Sequence, residues 1–151
     1  MIRIAHAAYF LALAVWVGGL LALTAVVAPT VFRLAPSRSA AGAIFGPTLR
    51  TFGYVEMACA GVVAVCSIYL WRAAPREGWV EGVRLGLVAL MVLLLFVHVL
   101  GIAPAMAQEQ GAADRTRFDT LHRWSVRVVG ATLLAGLALL VLSAATVKSI
   151  R

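Results

Sequence analysis

Charged residues are scarce in this chain of 151 residues: they make up 13% of it, and only six of them are acidic. A soluble domain has about 25% charged and about 45–50% apolar residues. Here 63% of the residues are hydrophobic, and the mean hydropathy is +0.98. This composition excludes an ordinary soluble globular domain and indicates an integral membrane protein.

Recognisable catalytic and cofactor motifs are missing as well. The sequence has no CxxCH haem-attachment motif, no HExxH metal motif, no glycine-rich phosphate loop and no nucleophile–base set. Its two cysteines, Cys59 and Cys66, share a helix face but lie roughly 10 Å apart along the axis, too far for a disulfide. These absences favour a protein that is not an enzyme, with cysteines that serve as small packing residues.

Four long apolar stretches dominate the chain. A helix needs roughly 20 residues to cross a hydrocarbon layer of about 30 Å, and each stretch is at least that long. Helices also satisfy their own backbone hydrogen bonds, as a bilayer demands. The sequence therefore predicts an all-α integral membrane four-helix bundle with up-down-up-down topology, because its connections are short. We expect a single domain over residues 1–151, with helices at about 2–28, 43–71, 83–107 and 115–147.

Prolines and basic residues mark the expected helix ends. We expect Pro29 to close the first helix at Ala28 and Pro104 to kink the last turns of the third. The net charge of +7 comes from short basic clusters at the ends of apolar segments. Such clusters bind anionic lipid headgroups rather than nucleic acid. The positive charges of the two sides are almost balanced, and we place both termini in the cytoplasm.

Three histidines lie within the predicted spans. His98 is fourteen residues past Arg84, and His122 is eight past Asp114, so antiparallel helices put them at comparable depth. Two facing imidazoles can ligate a haem b or supply half of a transition-metal site. His6 lies near the end of the first helix, far from both. The alternative is that each histidine forms one interhelical hydrogen bond and binds nothing.

Glu56 is the one carboxylate that the sequence places deep in a span. It lies thirteen residues into the second helix, and Arg127 lies thirteen residues past Asp114, counted from the same side. A lone charge at the centre of a span costs about 2.5–3.5 kcal/mol, so we expect a buried Glu56–Arg127 ion pair. The pair is either structural or part of a proton relay or anion site. In the second case Arg123 and Arg127, four residues apart, hold haem propionates or lipid phosphate.

Several short motifs resemble a known family. They are His6-x2-Tyr9, Trp16-Val17-Gly18-Gly19, Pro29-x2-Phe32, Ala41-Gly42 with Phe45, and Phe118-x2-Leu121-His122-x2-Ser125. Together they resemble the transmembrane protein 205-like family over almost the whole chain. This resemblance implies a four-span, multi-pass domain of unassigned function in the cytoplasmic membrane of a bacterium.

The opening motif, H-x9-W-x-G-G, also resembles the first helix of two other kinds of membrane protein. These are copper resistance protein D-like domains and HemJ-type protoporphyrinogen oxidases. In the latter, membrane histidines serve a b-type haem, and the resemblance implies His6 as a ligand. The depth argument instead pairs His98 with His122, and both assignments stay open here.

Three functional hypotheses follow. The favoured one is a small membrane bundle with a binding or transport-associated role for a metal or another small solute. The second is a b-type haem-binding redox protein, and the third is a structural accessory subunit of a larger membrane complex. Membrane lipids are expected partners in each case, and the chain could also form a homodimer. The candidate cofactor-binding residues are His98, His122, His6, Arg123 and Arg127, with His98 and His122 as metal ligands.

Overall fold

The computed structural model describes residues 1–73, 79–109 and 116–148, with side chains up to residue 145. Over these residues the chain forms four long helices. Each is long and apolar enough to cross a membrane, which confirms the predicted all-α four-helix membrane bundle. The helices are α1 (Ile2–Leu34), α2 (Arg38–Ala73), α3 (Trp79–Gln108) and α4 (Thr116–Lys148).

The bundle consists of two helical hairpins. Helix α1 packs most extensively on α2, and α3 packs most extensively on α4. We call α1–α2 the first hairpin and α3–α4 the second hairpin. The hairpins meet along α1–α4 and along α2–α3, and both of these contacts are smaller than those within a hairpin. The two seams between hairpins are therefore the looser parts of the bundle.

The core is built around one face of α1. The buried residues of α1 recur every three or four positions and therefore form a stripe along one side of the helix. The other helices cover this stripe with apolar side chains. The outer surface is also rich in exposed leucine, valine and isoleucine, which suits contact with membrane lipids. The most deeply buried apolar residues are Tyr9, Leu13, Trp16, Val17, Leu20, Val63, Met91 and Leu139.

Two prolines are accommodated inside helices by a wider turn. The segments Leu23–Val27 and Val97–Ile102 are π-helical, and Pro29 and Pro104 follow them. A proline in a regular α-helix loses one hydrogen bond, and its ring clashes with the carbonyl four residues earlier. The π turn provides bonds to the fifth residue back instead: Ala28 N–H donates to the Leu23 carbonyl.

The expected end of the first helix was therefore wrong. Pro29 does not end α1 at Ala28, because the preceding π turn accommodates the proline and the helix continues to Leu34. Pro104 follows the second π turn, Val97–Ile102, and α3 continues to Gln108. The sequence indicated that both prolines would disrupt their helices. It did not show that a local change from α-helix to π-helix would let each helix continue.

The connection from α1 to α2 is three residues long. Ala35 is extended, as the residue before a proline usually is. Ser37 then caps α2, since its Oγ accepts a hydrogen bond of 3.1 Å from the backbone N–H of Ala40. Phe32 and Phe45 meet edge to face across the turn, with ring centroids 6.2 Å apart. Helix α2 consequently begins at Arg38, five residues earlier than expected.

Gly136 lets α4 approach both α1 and α3 closely. A methyl group at this position would lie 2.5 Å from Val17 Cγ2 and 3.1 Å from Met91 Cε. Lipid supplies no hydrophobic force for helix association, so close van der Waals packing at small residues has to hold the helices together. Gly136 is thus a position of close packing between the two hairpins along the α1–α4 seam.

Candidate functional site: polar groups inside the bundle

A buried carboxyl group lies inside the first hairpin. Glu56 of α2 is only 4% exposed, and Trp16 of α1 is fully buried beside it. The indole N–H of Trp16 donates a hydrogen bond of 2.9 Å to Glu56 Oε1. This bond joins the two helices in the apolar interior and holds the carboxyl group in a fixed place.

Glu56 has no counter-charge in the described part of the chain. The two ion pairs seen among residues 1–73, 79–109 and 116–148 are Arg84–Glu81 at 2.9 Å and Arg117–Glu109 at 3.1 Å. Neither includes Glu56. A lone carboxylate inside a membrane protein is costly, and one hydrogen bond from an indole does not cancel its charge. A carboxylate at this position therefore gains free energy from taking up a proton or from binding a cation.

The expected Glu56–Arg127 ion pair is not formed. Arg127 is exposed on the outer face of α4, where its guanidinium carbon lies 5.3 Å from the centroid of the Trp124 ring. The number of residues from the start of each helix gives the depth of a side chain in the membrane. It does not give the direction in which that side chain points. The buried residues of α4 recur every three or four positions, and position 127 is outside their series: Ser125, Val128, Thr132, Ala135, Leu139 and Ser143.

Neutral substitutions at these two positions should therefore have small effects on stability. In Glu56→Gln, the amide oxygen can still accept the hydrogen bond from Trp16, and no opposite charge is left alone. We expect Glu56→Gln and Arg127→Gln each to change the free energy of unfolding by less than about 1 kcal/mol. Chemical denaturation in detergent micelles, followed by circular dichroism, measures this. A loss of several kcal/mol in both variants would instead indicate a buried ion pair.

The two central histidines have different surroundings. His98 is buried, and its Nε2 lies 2.9 Å from Ser125 Oγ, so one hydrogen bond links α3 to α4. His122 is exposed, and its ring stacks on Phe118 with centroids 6.3 Å apart. The two imidazoles do not face each other across the bundle interior. His98 thus forms one interhelical hydrogen bond, which is what a structural role for this histidine requires.

The remaining predicted cofactor residues lie elsewhere. His6 is half-buried near the start of α1, where its Nδ1 lies 3.0 Å from the Ile2 carbonyl oxygen. Arg123 and Arg127 are exposed, and Arg123 donates to Thr120 Oγ1 on its own helix. Among the described residues, no three histidine, cysteine or acidic side chains are placed to share a metal ion. The arrangement does not fit a haem held inside the bundle by His98 and His122.

A second polar cluster, which sequence reasoning missed, joins α1, α3 and α4. The Tyr9 and Ser143 hydroxyls are 3.1 Å apart, and the Arg84 guanidinium carbon lies 5.7 Å from the centroid of the Tyr9 ring. Arg84 is 8% exposed and also pairs with Glu81. Buried tyrosine and serine at matching depth on two helices were the available signal, but the sequence did not show that their faces meet.

Comparison with known families places the chain in a family without an assigned activity. A family model described as a domain of unknown function (DUF4149) matches residues 11–115. The chain belongs to the DUF4149 family. No curated protein and no solved structure matches it. This DUF4149 protein thus combines a multi-pass membrane fold with polar side chains in its interior.

The matched region of the DUF4149 protein contains the buried carboxyl group and its donor. Trp16, Glu56 and His98 all lie within residues 11–115, whereas Ser125 and Ser143 follow it. Of the polar groups in the interior, Glu56 is the one buried carboxyl in the described chain. It can therefore gain or lose a proton, or bind a cation, without first breaking an ion pair among the described residues.

Proposed function

We propose that this DUF4149 protein has a binding or transport-associated role in the membrane and takes up a proton or a small cation at Glu56. The observation that carries the proposal is a carboxyl group 4% exposed, inside a membrane bundle, with an indole N–H as its hydrogen-bond donor and no basic partner in the described chain. Ionisable residues at membrane depth are expensive and commonly mark ion pathways or proton relays.

The hydrogen bond from Trp16 supports this role chemically. A carboxyl group has room for several hydrogen bonds or ligands on its two oxygens, and Trp16 uses one of these positions. The indole fixes the carboxyl group between α1 and α2, which keeps it in the interior of the bundle. A cation that binds there replaces the missing counter-charge, and a proton removes the need for one.

Flux measurements in proteoliposomes test the proposal. Wild-type protein should carry protons or small monovalent cations at a rate that Glu56→Gln reduces to the level of empty vesicles. Asp119→Asn is the matched control, because Asp119 is an exposed carboxylate in the first turn of α4, and it should retain the wild-type rate. A Glu56→Gln protein with unchanged flux would contradict a transport role for Glu56.

Chemical labelling separates binding from transport. A hydrophobic carbodiimide adds to protonated carboxyl groups in apolar surroundings, and we expect mass mapping to find the adduct on Glu56. A cation that binds at this position should slow the labelling. If Glu56 stays unlabelled and no cation changes the thermal stability of the protein, the carboxyl group has only a structural role.

The cofactor-binding hypothesis has a direct test of its own. It assigns His98, His122 and His6 as ligands, with Arg123 and Arg127 beside the cofactor, and of these His98 alone is buried. An absorbance spectrum of detergent-purified protein, oxidised and reduced, with metal analysis of the same sample, decides it. A Soret band with sharp reduced bands supports haem b, and a featureless spectrum without metal rejects the cofactor.

We also propose the finer relationships that the motifs suggest. The Trp16-Val17-Gly18-Gly19 motif is the basis for a relation to the transmembrane protein 205-like family; in the fold Trp16 is fully buried and Phe52 packs over Gly19. That relation implies the cytoplasmic membrane of a bacterium. We also propose that both termini lie on the cytoplasmic side, which is consistent with four spans. Assembly as a homodimer or as a subunit of a larger complex remains a further proposal.

A further inference from the structure

An apolar groove runs along the seam between α2 and α3 on the outer surface of the bundle. Its volume is about 430 Å³. The space exists because small alanine and serine side chains line it. In addition, α2 and α3 pack less closely on each other than α1 packs on α2 or α3 packs on α4. The one hydroxyl in the lining, that of Ser67, donates to the Val63 carbonyl at 2.7 Å. The lining residues are Ala64, Ser67, Ile68, Val88, Ala89 and Val92, with Leu85, Leu93 and Phe96.

The groove has the depth of one membrane leaflet. On α3 its lining extends from Leu85 to Phe96, which is roughly 16 Å along the helix. The hydrocarbon core of a bilayer is about 30 Å thick, so the groove covers about half of it. It begins close to the Ala73 end of α2 and the Trp79 end of α3 and runs from there toward the middle of both helices. A lipid tail from that leaflet has the same extent and polarity.

The mouth of the groove carries the residue types that contact a lipid headgroup. Trp71 is four residues past Ser67, and Arg72 is four past Ile68, so both continue the face of α2 that lines the groove. Trp71 is 48% exposed, and Arg72 is exposed and has no ion pair among the described residues. Tryptophan is enriched at the level of lipid headgroups, and arginine binds phosphate with two parallel hydrogen bonds.

Arg84, directly before Leu85 on α3, does not belong to this mouth. It is buried, its guanidinium carbon lies 5.7 Å from the centroid of the buried Tyr9 ring, and it donates to Glu81. Its side chain therefore faces the bundle interior. Arg72 is the arginine that the described residues place above the apolar channel.

We propose that a phospholipid from the leaflet at the Ala73 end of α2 occupies this groove. One acyl chain lies between α2 and α3, and the phosphate contacts Arg72 at the mouth. A helix from a second copy fits less well: it would be about 10 Å across with its side chains and would leave Arg72 at the mouth without an anion. The proposal does not depend on Glu56 or on any transport activity.

Native mass spectrometry of protein extracted from membranes in a mild detergent tests this site. Wild-type protein should retain one phospholipid. Ala89→Trp fills the groove from α3 and should reduce the bound fraction about tenfold or more. Ala58→Trp is the matched control, since Ala58 is an exposed residue of α2 outside the groove, and it should retain the lipid. Arg72→Gln should weaken retention of anionic phospholipids more than that of zwitterionic ones.

A second groove-filling variant guards against a folding defect. Ala64→Phe fills the same space from α2 and should lose the lipid while keeping the wild-type circular dichroism spectrum. Equal retention in the wild type and in folded Ala89→Trp and Ala64→Phe proteins would overturn the proposal. So would a wild-type dimer that both substitutions dissociate, because the groove would then be an interface between copies of the chain.

Discussion

Trp16→Ala should lower the free energy of unfolding by about 3–5 kcal/mol, the usual cost of removing a large aromatic side chain from a packed core. Trp16 is fully buried at the centre of the core face of α1. The substitution leaves a cavity and also removes the donor that holds Glu56. Chemical denaturation in micelles, followed by circular dichroism, measures the change.

Two companion variants separate the causes of that loss. Trp16→Phe keeps most of the volume but removes the indole N–H, and leaving the Glu56 carboxyl group unpaired should cost about 1–3 kcal/mol. Trp124→Ala removes an indole that is 53% exposed on α4 and should cost less than about 1 kcal/mol. If Trp16→Ala were as mild as Trp124→Ala, α1 would not pack as the structure places it.

Gly136→Leu should be the second most damaging single substitution, at about 3 kcal/mol or more. A Cβ at this position already lies too close to Val17 and Met91, and a leucine adds three further carbon atoms to the same space. Overpacking of a close-packed interior usually costs about 1–3 kcal/mol for smaller additions. The same denaturation experiment measures it, and a smaller loss for Gly136→Ala would show that the cost grows with side-chain size.

Gly130 provides the control for this prediction. It lies six residues earlier on α4, and a Cβ there meets no heavy atom within 4 Å in the described chain. Gly130→Leu should therefore leave stability unchanged or raise it slightly, because glycine is a poor helix former. Equal losses for Gly130→Leu and Gly136→Leu would mean that α4 does not lock against α1 and α3 through Gly136.

The fold could be predicted from the sequence because span length and apolar composition are properties of each segment alone. The positions of the helix ends could not be predicted with the same accuracy. At Pro29 the sequence indicated a break, whereas a π turn over Leu23–Val27 carries the helix on to Leu34. That outcome depends on a small difference between two helical geometries, which a proline in a sequence does not reveal.

The candidate site could be predicted only in part. The depth of Glu56 in the membrane followed from its distance along α2, but its contact with Trp16 did not. Depth alone favoured Arg127, and the direction of the Arg127 side chain excludes it. The series of buried positions on α4 excludes Arg127, and small polar residues such as Ser125 and Thr132 mark that series in the sequence. Helical periodicity was therefore the signal that would have corrected the ion pair.

The division of the bundle into two hairpins has a consequence for biogenesis. During synthesis α1 and α2 emerge before α3 and α4, and a three-residue connection suits entry into the bilayer as a pair. The hydrogen bond between Trp16 and Glu56 lies entirely within that pair. The costly carboxyl group therefore has its donor within the same hairpin, so we expect that insertion of α2 does not require contacts with α3 and α4.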